Sequence, residues 1–257
     1  MRILLIDNSK PNLCEFTRLL EARLSFFSSD ITCCNTVDEV LKYLAEIDPD
    51  IAILSGSSLN VSQPQKMIFM RKSITTLLRL QGIPVLGICF GMQLMCVTYG
   101  GVVKRLEQAV KCEDNIHIET GSVLLNNESC NINVTLSHQD YVVSTPNNFI
   151  VYSKRKECIQ MFESLKFLRF GVQFHPERIA GNETVCILHN FIKFSFERSS
   201  IPPCCSHVPD QIRIRLMFSI PRNNVHKIRR LYDIDIDTIM TLWRHHMKIW
   251  NLPAILI

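Results

Sequence analysis

Short runs of consecutive apolar residues alternate along the first half of the chain with longer stretches in which apolar residues recur every third or fourth position. The runs predict strands at Ile3–Asp7, Ile31–Thr36, Asp50–Leu54 and Pro84–Cys89. The periodic stretches predict helices at Asn12–Leu24, Val37–Ile47 and Gln63–Leu80. In the first of these Leu13, Phe16, Leu19, Leu20 and Leu24 share a face; in the second Val40, Leu41, Leu44 and Ile47 do. Strands that are apolar throughout, separated by amphipathic helices, predict an α/β fold: a central, mostly parallel sheet flanked by helices on both faces. Ligand chemistry in such a sheet gathers at the carboxyl ends of the strands. From Val102 to Phe174 the character changes to short strands joined by turns, among them Ser122–Leu125, Asn133–Ser137 and Phe149–Ser153. A helix at Thr184–Phe196 closes the domain, which spans residues 1–196. Pro202, Pro203 and Pro209 then break the pattern, and residues 197–257 form an extension with a basic balance. Within it, Ile234–Trp250 has the spacing of an amphipathic helix.

The chemistry-bearing segment is Pro84–Gly100, PVLGICFGMQLMCVTYG, in which a buried strand passes through G-x-C-x-G into a helix. Gly87 and Gly91 flank Cys89 where a side chain would collide with the neighbouring strand or helix. A cysteine on such a sharp elbow is presented bare to substrate. The first turn of the following helix offers unpaired N–H groups, and these favour a thiolate. Far downstream, Gly171–Glu177 reads GVQFHPE and supplies a histidine with a carboxylate two residues on to orient it. Together the segments have the logic of a Cys–His–Glu triad: Cys89 as nucleophile, His175 as base and acid, Glu177 as the group that holds the imidazole. An isolated cysteine is more often a core residue. Cys89 stands apart from the other ten by its flanking glycines.

Composition narrows the setting. Of 257 residues, 47 % are hydrophobic, which suits a folded α/β domain with an extension. A net charge of +4 is too small to imply a nucleic-acid or membrane partner. Eleven cysteines without C-x-x-C pairs indicate neither a zinc site nor a disulfide framework, and fit a reducing compartment. The expected location is cytoplasmic: the opening run Arg2–Asp7 is too short for a signal-peptide core, and no apolar run reaches the length of a membrane span.

G-I-C-F-G-M-Q followed by G-V-Q-F-H-P-E resembles the class I (triad) glutamine amidotransferases, over roughly Met1 to Phe196. Ser137-His138-Gln139-Asp140 is similar to the S-H-G-D stretch of the GMP synthase branch. The resemblance implies hydrolysis of glutamine to glutamate and ammonia, a place in purine biosynthesis, and no metal or other cofactor. It implies that Gln93, Ser137, Gln139 and Asp140 meet the glutamine substrate. It also implies an oxyanion hole from the N–H of Phe90 and the Gly56–Ser57 loop. Nothing after residue 197 resembles the ATP-pyrophosphatase domain of fused GMP synthases, so ammonia would pass to a separate synthase subunit. Two other readings stand beside this one. A γ-glutamyl hydrolase of the same fold shares the cysteine and the H-P-E. A non-catalytic relative would act as an interaction protein.

The sequence departs from the family pattern at three positions. Ser57 and Ser58 stand where L-S-G-G-P has glycine and proline, and Gln139 stands where glycine is usual. Losing one oxyanion donor costs about a hundredfold to a thousandfold in rate, and a partly misaligned one less. Ser57→Gly combined with Ser58→Pro is therefore expected to raise glutamine turnover roughly tenfold. No gain in a chain of ordinary activity would show that Ser57 already aims its N–H correctly.

Overall fold

The computed structural model describes residues 1–9, 15–25, 30–46, 49–63, 67–178 and 182–199. The chain divides into two units, Met1–Ser199 and Ser200–Ile257. The helix expected at Ile234–Trp250 lies outside the described residues. In the first unit the order is β1 (Arg2–Ile6), α1 (Glu15–Leu24), β2 (Asp30–Cys34), α2 (Val37–Glu46), β3 (Ile51–Leu54), α3 (Met67–Arg79), β4 (Val85–Ile88) and α4 (Phe90–Thr98). It continues with β5 (Val102–Ile118), β6 (Cys130–Ser144), β7 (Ile150–Arg155), β8 (Cys158–Ser164), β9 (Arg169–Val172) and α5 (Asn182–Ser199).

The strands form one sheet in the order β2-β1-β3-β4-β9-β8-β6-β5, with β7 paired to β8. From β2 to β9 the pairings are parallel; from β9 through β8 and β6 to β5 they are antiparallel. Alternate residues of the parallel strands feed two separate cores. Ile3, Leu5, Ile51, Ile53, Leu86, Ile88, Phe170 and Val172 pack with Leu20 and Leu24 of α1 and Leu188 and Phe191 of α5. Leu4, Ile6, Ala52, Leu54 and Val85 pack on the other face with Val40, Leu77, Met92 and Met95. Strands buried on both faces have no polar side to show, which is why they read as unbroken apolar runs. Helix α2 starts with a capping box: the Glu39 N–H donates to Thr36 Oγ1 at 3.1 Å and the Thr36 N–H to Glu39 Oε2 at 3.1 Å.

The second half differs from the expected series of short strands. β5 runs for 17 residues and β6 for 15, paired along a long hairpin with irregular register at Val102/Val103 and Arg105/Val110. Most of β5 is exposed, so its side chains carry no alternation of apolar and polar residues. Ser122–Leu125, expected as a strand, instead holds a single 3₁₀ turn at Val123–Leu125. The cause is distant in sequence: the buried Glu163 carboxylate accepts from Ser122 Oγ at 2.5 Å and from the N–H groups of Val123 and Leu124 at 3.2 and 3.3 Å. Burial pushes the Glu163 carboxyl up, and these three donors pull against that shift.

Arg169, at the start of β9, is fully buried, and among the described residues no carboxylate is a hydrogen-bond partner of it. It donates to the carbonyls of Leu77 and Leu80 at 3.0 and 2.6 Å, to Ile83 O at 2.8 Å and to Tyr99 Oη at 2.8 Å. The guanidinium thus satisfies carbonyls at the carboxyl end of α3, where the helix dipole favours a cation. Among the described residues no helix is long and apolar enough to cross a membrane.

Helix α4 lies directly on β4. A Cβ at Gly87 would come within 2.7 Å of Gly91 C and Met92 N. Both are backbone atoms, so neither can turn aside. Gly87→Ala is expected to destabilise the protein by about 1–3 kcal/mol, read as a lower urea midpoint. An unchanged midpoint would show that α4 can lift off β4 without loss.

Candidate active site

β4 and β9 are neighbours, with Gly87 opposite Gly171 and Ile88 opposite Val172. The residues that follow the two strands, Cys89 and Gln173, therefore leave the sheet side by side. The Cys89 N–H donates to Val172 O at 2.7 Å, after which the chain turns straight into α4. Cys89 has φ 50° and ψ −104°, a left-handed φ that a residue with a Cβ avoids. Close packing enforces it. A Cβ at Gly91 would strike the carbonyl oxygen and Cβ of Leu54, so α4 is pressed against the end of β3 as well as against β4. The Cys89 sulfur lies 3.5 Å from Gln173 Nε2 and 3.7 Å from Ser137 O.

His175 is held from both sides. Its N–H donates to Thr135 O at 3.0 Å, which fixes the backbone to β6. Its Nδ1 pairs with Glu177 Oε1 at 2.6 Å, and both side chains are essentially excluded from solvent. With Nδ1 occupied, Nε2 is the nitrogen left to face Cys89. Burial alone would push the imidazole down. Negative charge at Cys89 and at Glu177, with a hydrogen bond to each, more than offsets this and raises it to about 10. His138 contrasts with it: burial, and after it the charge of His175, push it down to about 4, so it is neutral at physiological pH. Its Nδ1 pairs with Asp140 O at 3.0 Å.

Of the sequence-predicted substrate residues, Gln93, Ser137 and Asp140 reach this corner and Gln139 turns away from it; the side chains of Gln93, Gln139 and Asp140 are engaged within the protein. Asp140 is buried; its two carboxylate oxygens accept from the Ser62 N–H at 2.7 Å and from Ser62 Oγ at 2.8 Å. Gln93 Nε2 donates to Asp140 O at 2.6 Å and to Gln173 Oε1 at 3.1 Å. The Gln139 side chain turns towards β5, accepting from Arg105 at 2.7 Å and donating to Leu106 O at 3.2 Å. Ser137 meets Cys89 through its carbonyl. Phe90 is the first residue of α4, so its N–H has no partner within the helix. In the loop after β3, Gly56 O accepts from Ser55 Oγ at 2.9 Å, and Ser57 Oγ accepts from the Leu59 N–H at 3.0 Å. Ser57 is not among the residues with positive φ, so serine sits there without backbone strain. Two residues of the corner escaped the sequence reading, Gln173 and Ser62. Gln173 lies two positions before His175, level with Cys89, and that placement is the signal it offered. Among the described residues no cluster of three or more His, Cys, Asp or Glu is disposed to hold a metal ion.

The family model for glutamine amidotransferase class I matches residues 4–194. The chain belongs to the class I glutamine amidotransferases. Curated relatives of this amidotransferase include the glutamine-hydrolysing GMP synthase of Acetivibrio thermocellus, 33 % identical over 165 residues, which are 62 % of this chain and 31 % of that protein. The GMP synthase of Listeria innocua is 41 % identical over 114 residues, 43 % of this chain and 21 % of its own length. The amidotransferase thus matches under a third of the length of these relatives. Two solved structures share its fold. One, from Thermoplasma acidophilum and described as a GMP synthase subunit, has a TM-score of 0.66 at 19 % identity, over 77 % of this chain and 96 % of that one. A glutamine amidotransferase from Thermotoga maritima has a TM-score of 0.54 at 16 % identity, over 97 % of each chain.

Because folding raises the His175 imidazole from 6.5 to about 10, its charged form contributes stability in full below pH 6.5. That contribution is lost as pH climbs through 10. The difference in unfolding free energy between the wild-type amidotransferase and His175→Gln is therefore expected to be largest at pH 6.5 or below and to shrink towards pH 10. A difference that stays flat across this window contradicts a charged imidazole at the site.

Proposed function

We propose that the chain hydrolyses glutamine to glutamate and ammonia, with Cys89, His175 and Glu177 as a catalytic triad. The observation that carries this reading is the buried His175–Glu177 pair at 2.6 Å, set beside a cysteine held on a strained elbow. The Cys89 thiolate attacks the side-chain amide carbon of glutamine. The oxyanion that forms is met by backbone N–H groups of Phe90 and the Gly56–Ser57 loop. Imidazolium at His175 gives its Nε2 proton to the departing nitrogen, which leaves as ammonia, and a thioester remains on Cys89. Neutral His175 then takes a proton from water as the water attacks the thioester, releasing glutamate and restoring the thiolate. Both amide hydrogens of Gln93 are spent on Asp140 O and Gln173 Oε1. Only its carbonyl oxygen is left for substrate, where it suits the N–H donors of glutamine.

The relatives' names favour a GMP-synthase-like setting, and their greater length leaves the acceptor chemistry outside the matched region. On this reading the ammonia passes to a separate synthase subunit within purine biosynthesis, in the cytoplasm. The buried Glu177 on His175 favours glutamine hydrolysis over a non-catalytic role, since an unused site has no need of a buried charge pair.

Burial pushes the Cys96 and Cys158 thiols up to about 12, which makes both poor nucleophiles at neutral pH. Cys89→Ala is expected to lower glutamine turnover by at least about a thousandfold, whereas Cys96→Ala retains it. Ammonia release from glutamine and from a γ-glutamyl peptide, measured side by side, checks the substrate class. Equal loss from both cysteine changes in folded protein rejects the assignment, and preference for the peptide favours a γ-glutamyl hydrolase.

A further inference from the structure

Gln173 is fully buried and stands beside the nucleophile without belonging to the triad. Its amide has one orientation consistent with its neighbours. Gln93 Nε2 can only donate, and it lies 3.1 Å from Gln173 Oε1, so the oxygen of Gln173 must face Gln93. The nitrogen then faces Cys89 Sγ at 3.5 Å. Gln93 is itself oriented by donating to Asp140 O at 2.6 Å, and the Asp140 carboxylate grips the Ser62 N–H and hydroxyl. A directional chain of hydrogen bonds thus runs from β6 through α4 to the residue after β9 and ends as a donor on sulfur.

We propose that Gln173 is a positioning residue for the nucleophile: an oriented neutral donor that favours the thiolate of Cys89 over its thiol and fixes where the sulfur sits. An amide N–H bonds a thiolate well and a thiol weakly, because the charged sulfur is much the better acceptor. It does so without adding a second cation beside His175, which already carries the proton the reaction needs. Once the sulfur is acylated its charge is gone and the donor loses its hold. The interaction therefore favours the states before attack and after thioester hydrolysis, when the thiolate is the leaving group. The Ser62–Asp140 clasp gives the same chain a hold on the loop after β3. The orientation of the sulfur donor and the placement of the proposed oxyanion loop are set together.

The inference rests on Cys89 as the nucleophile, and its test separates failure of the two. Alkylation of Cys89 by iodoacetamide is followed against pH by mass spectrometry, alongside glutaminase kinetics, in the full chain and its variants. Gln173→Met keeps the volume and removes the donor. Its alkylation profile is expected to move to higher pH by about one unit, which is about tenfold in thiolate fraction at a fixed pH on the rising limb. Turnover should fall about tenfold with KM for glutamine little changed. Gln173→Glu keeps the bond from Gln93 but sets an acceptor and a negative charge against the sulfur, and its profile should move further. A folded Gln173→Met whose profile coincides with the wild type overturns the inference, whatever its turnover, because a purely structural role changes stability and leaves the profile in place. If both variants fail to fold, Gln93→Met releases the oxygen of Gln173 without touching the sulfur; it should move the profile in the same direction, and no movement overturns the inference. A wild-type chain that is alkylated at Cys89 but releases no ammonia from glutamine defeats the proposed function and leaves the sulfur donor to stand or fall on the profiles.

Discussion

Two adjacent parallel strands, β4 and β9, end level with one another because Gly87 pairs with Gly171 and Ile88 with Val172, and α4 lies across both where neither carries a side chain. A Cβ at Gly171 would meet Phe162 and Met92, much as one at Gly87 would meet the α4 backbone. That close approach puts the cysteine and the histidine segment, far apart in sequence, on one rim of the sheet. Arg169 secures the start of β9 by binding the carbonyls that finish α3, and the chain reaches His175 three residues beyond the strand's other end. The site inherits its geometry from strand register right up to Cys89 and from a buried cation at the opposite end of β9.

The charges at this rim are few and almost wholly buried. Glu177 is compensated by the imidazolium of His175, and Asp140 by neutral donors from Ser62. Burial pushes the Asp140 carboxyl up, while the Ser62 bonds and Arg105 pull it down. Those dipoles stabilise the Asp140 carboxylate without removing its charge, while the charges that act on His175 are those of Cys89 and Glu177. His138, kept neutral by burial, adds no competing cation.

The parallel half of this fold was legible because β1, β3 and β4 are buried on both faces and the intervening helices are amphipathic; periodicity carries that information directly. The elbow was legible because close helix–strand contact admits only glycine at Gly87 and Gly91, and such a need leaves a mark in the sequence. The long hairpin was not legible: β5 is an edge strand with most of its residues in solvent, so no apolar alternation announces it. The 3₁₀ turn at Val123–Leu125 escaped because Glu163, remote in sequence, decides it. Gln173 reads as a polar spacer between Val172 and Phe174, and only the register with β4 sets it against the sulfur. That Asp140, Gln93 and Gln139 meet substrate is what the family resemblance implies. The engagement of their side chains with Ser62, Gln173 and Arg105 depends on partners that sequence spacing does not reveal.

The backbone at Cys89 carries a further meaning. A residue with a Cβ at φ 50° and ψ −104° costs about 1–3 kcal/mol relative to relaxed geometry, and glycine would relieve part of that cost. Against that relief stands the packing: Cys89 is buried in the core and its sulfur meets Gln173 Nε2 and Ser137 O, contacts that glycine would give up. A thiol at such an angle is held there by the packing of α4 on β3 and β4, so strain at one residue is carried by close contacts at its neighbours.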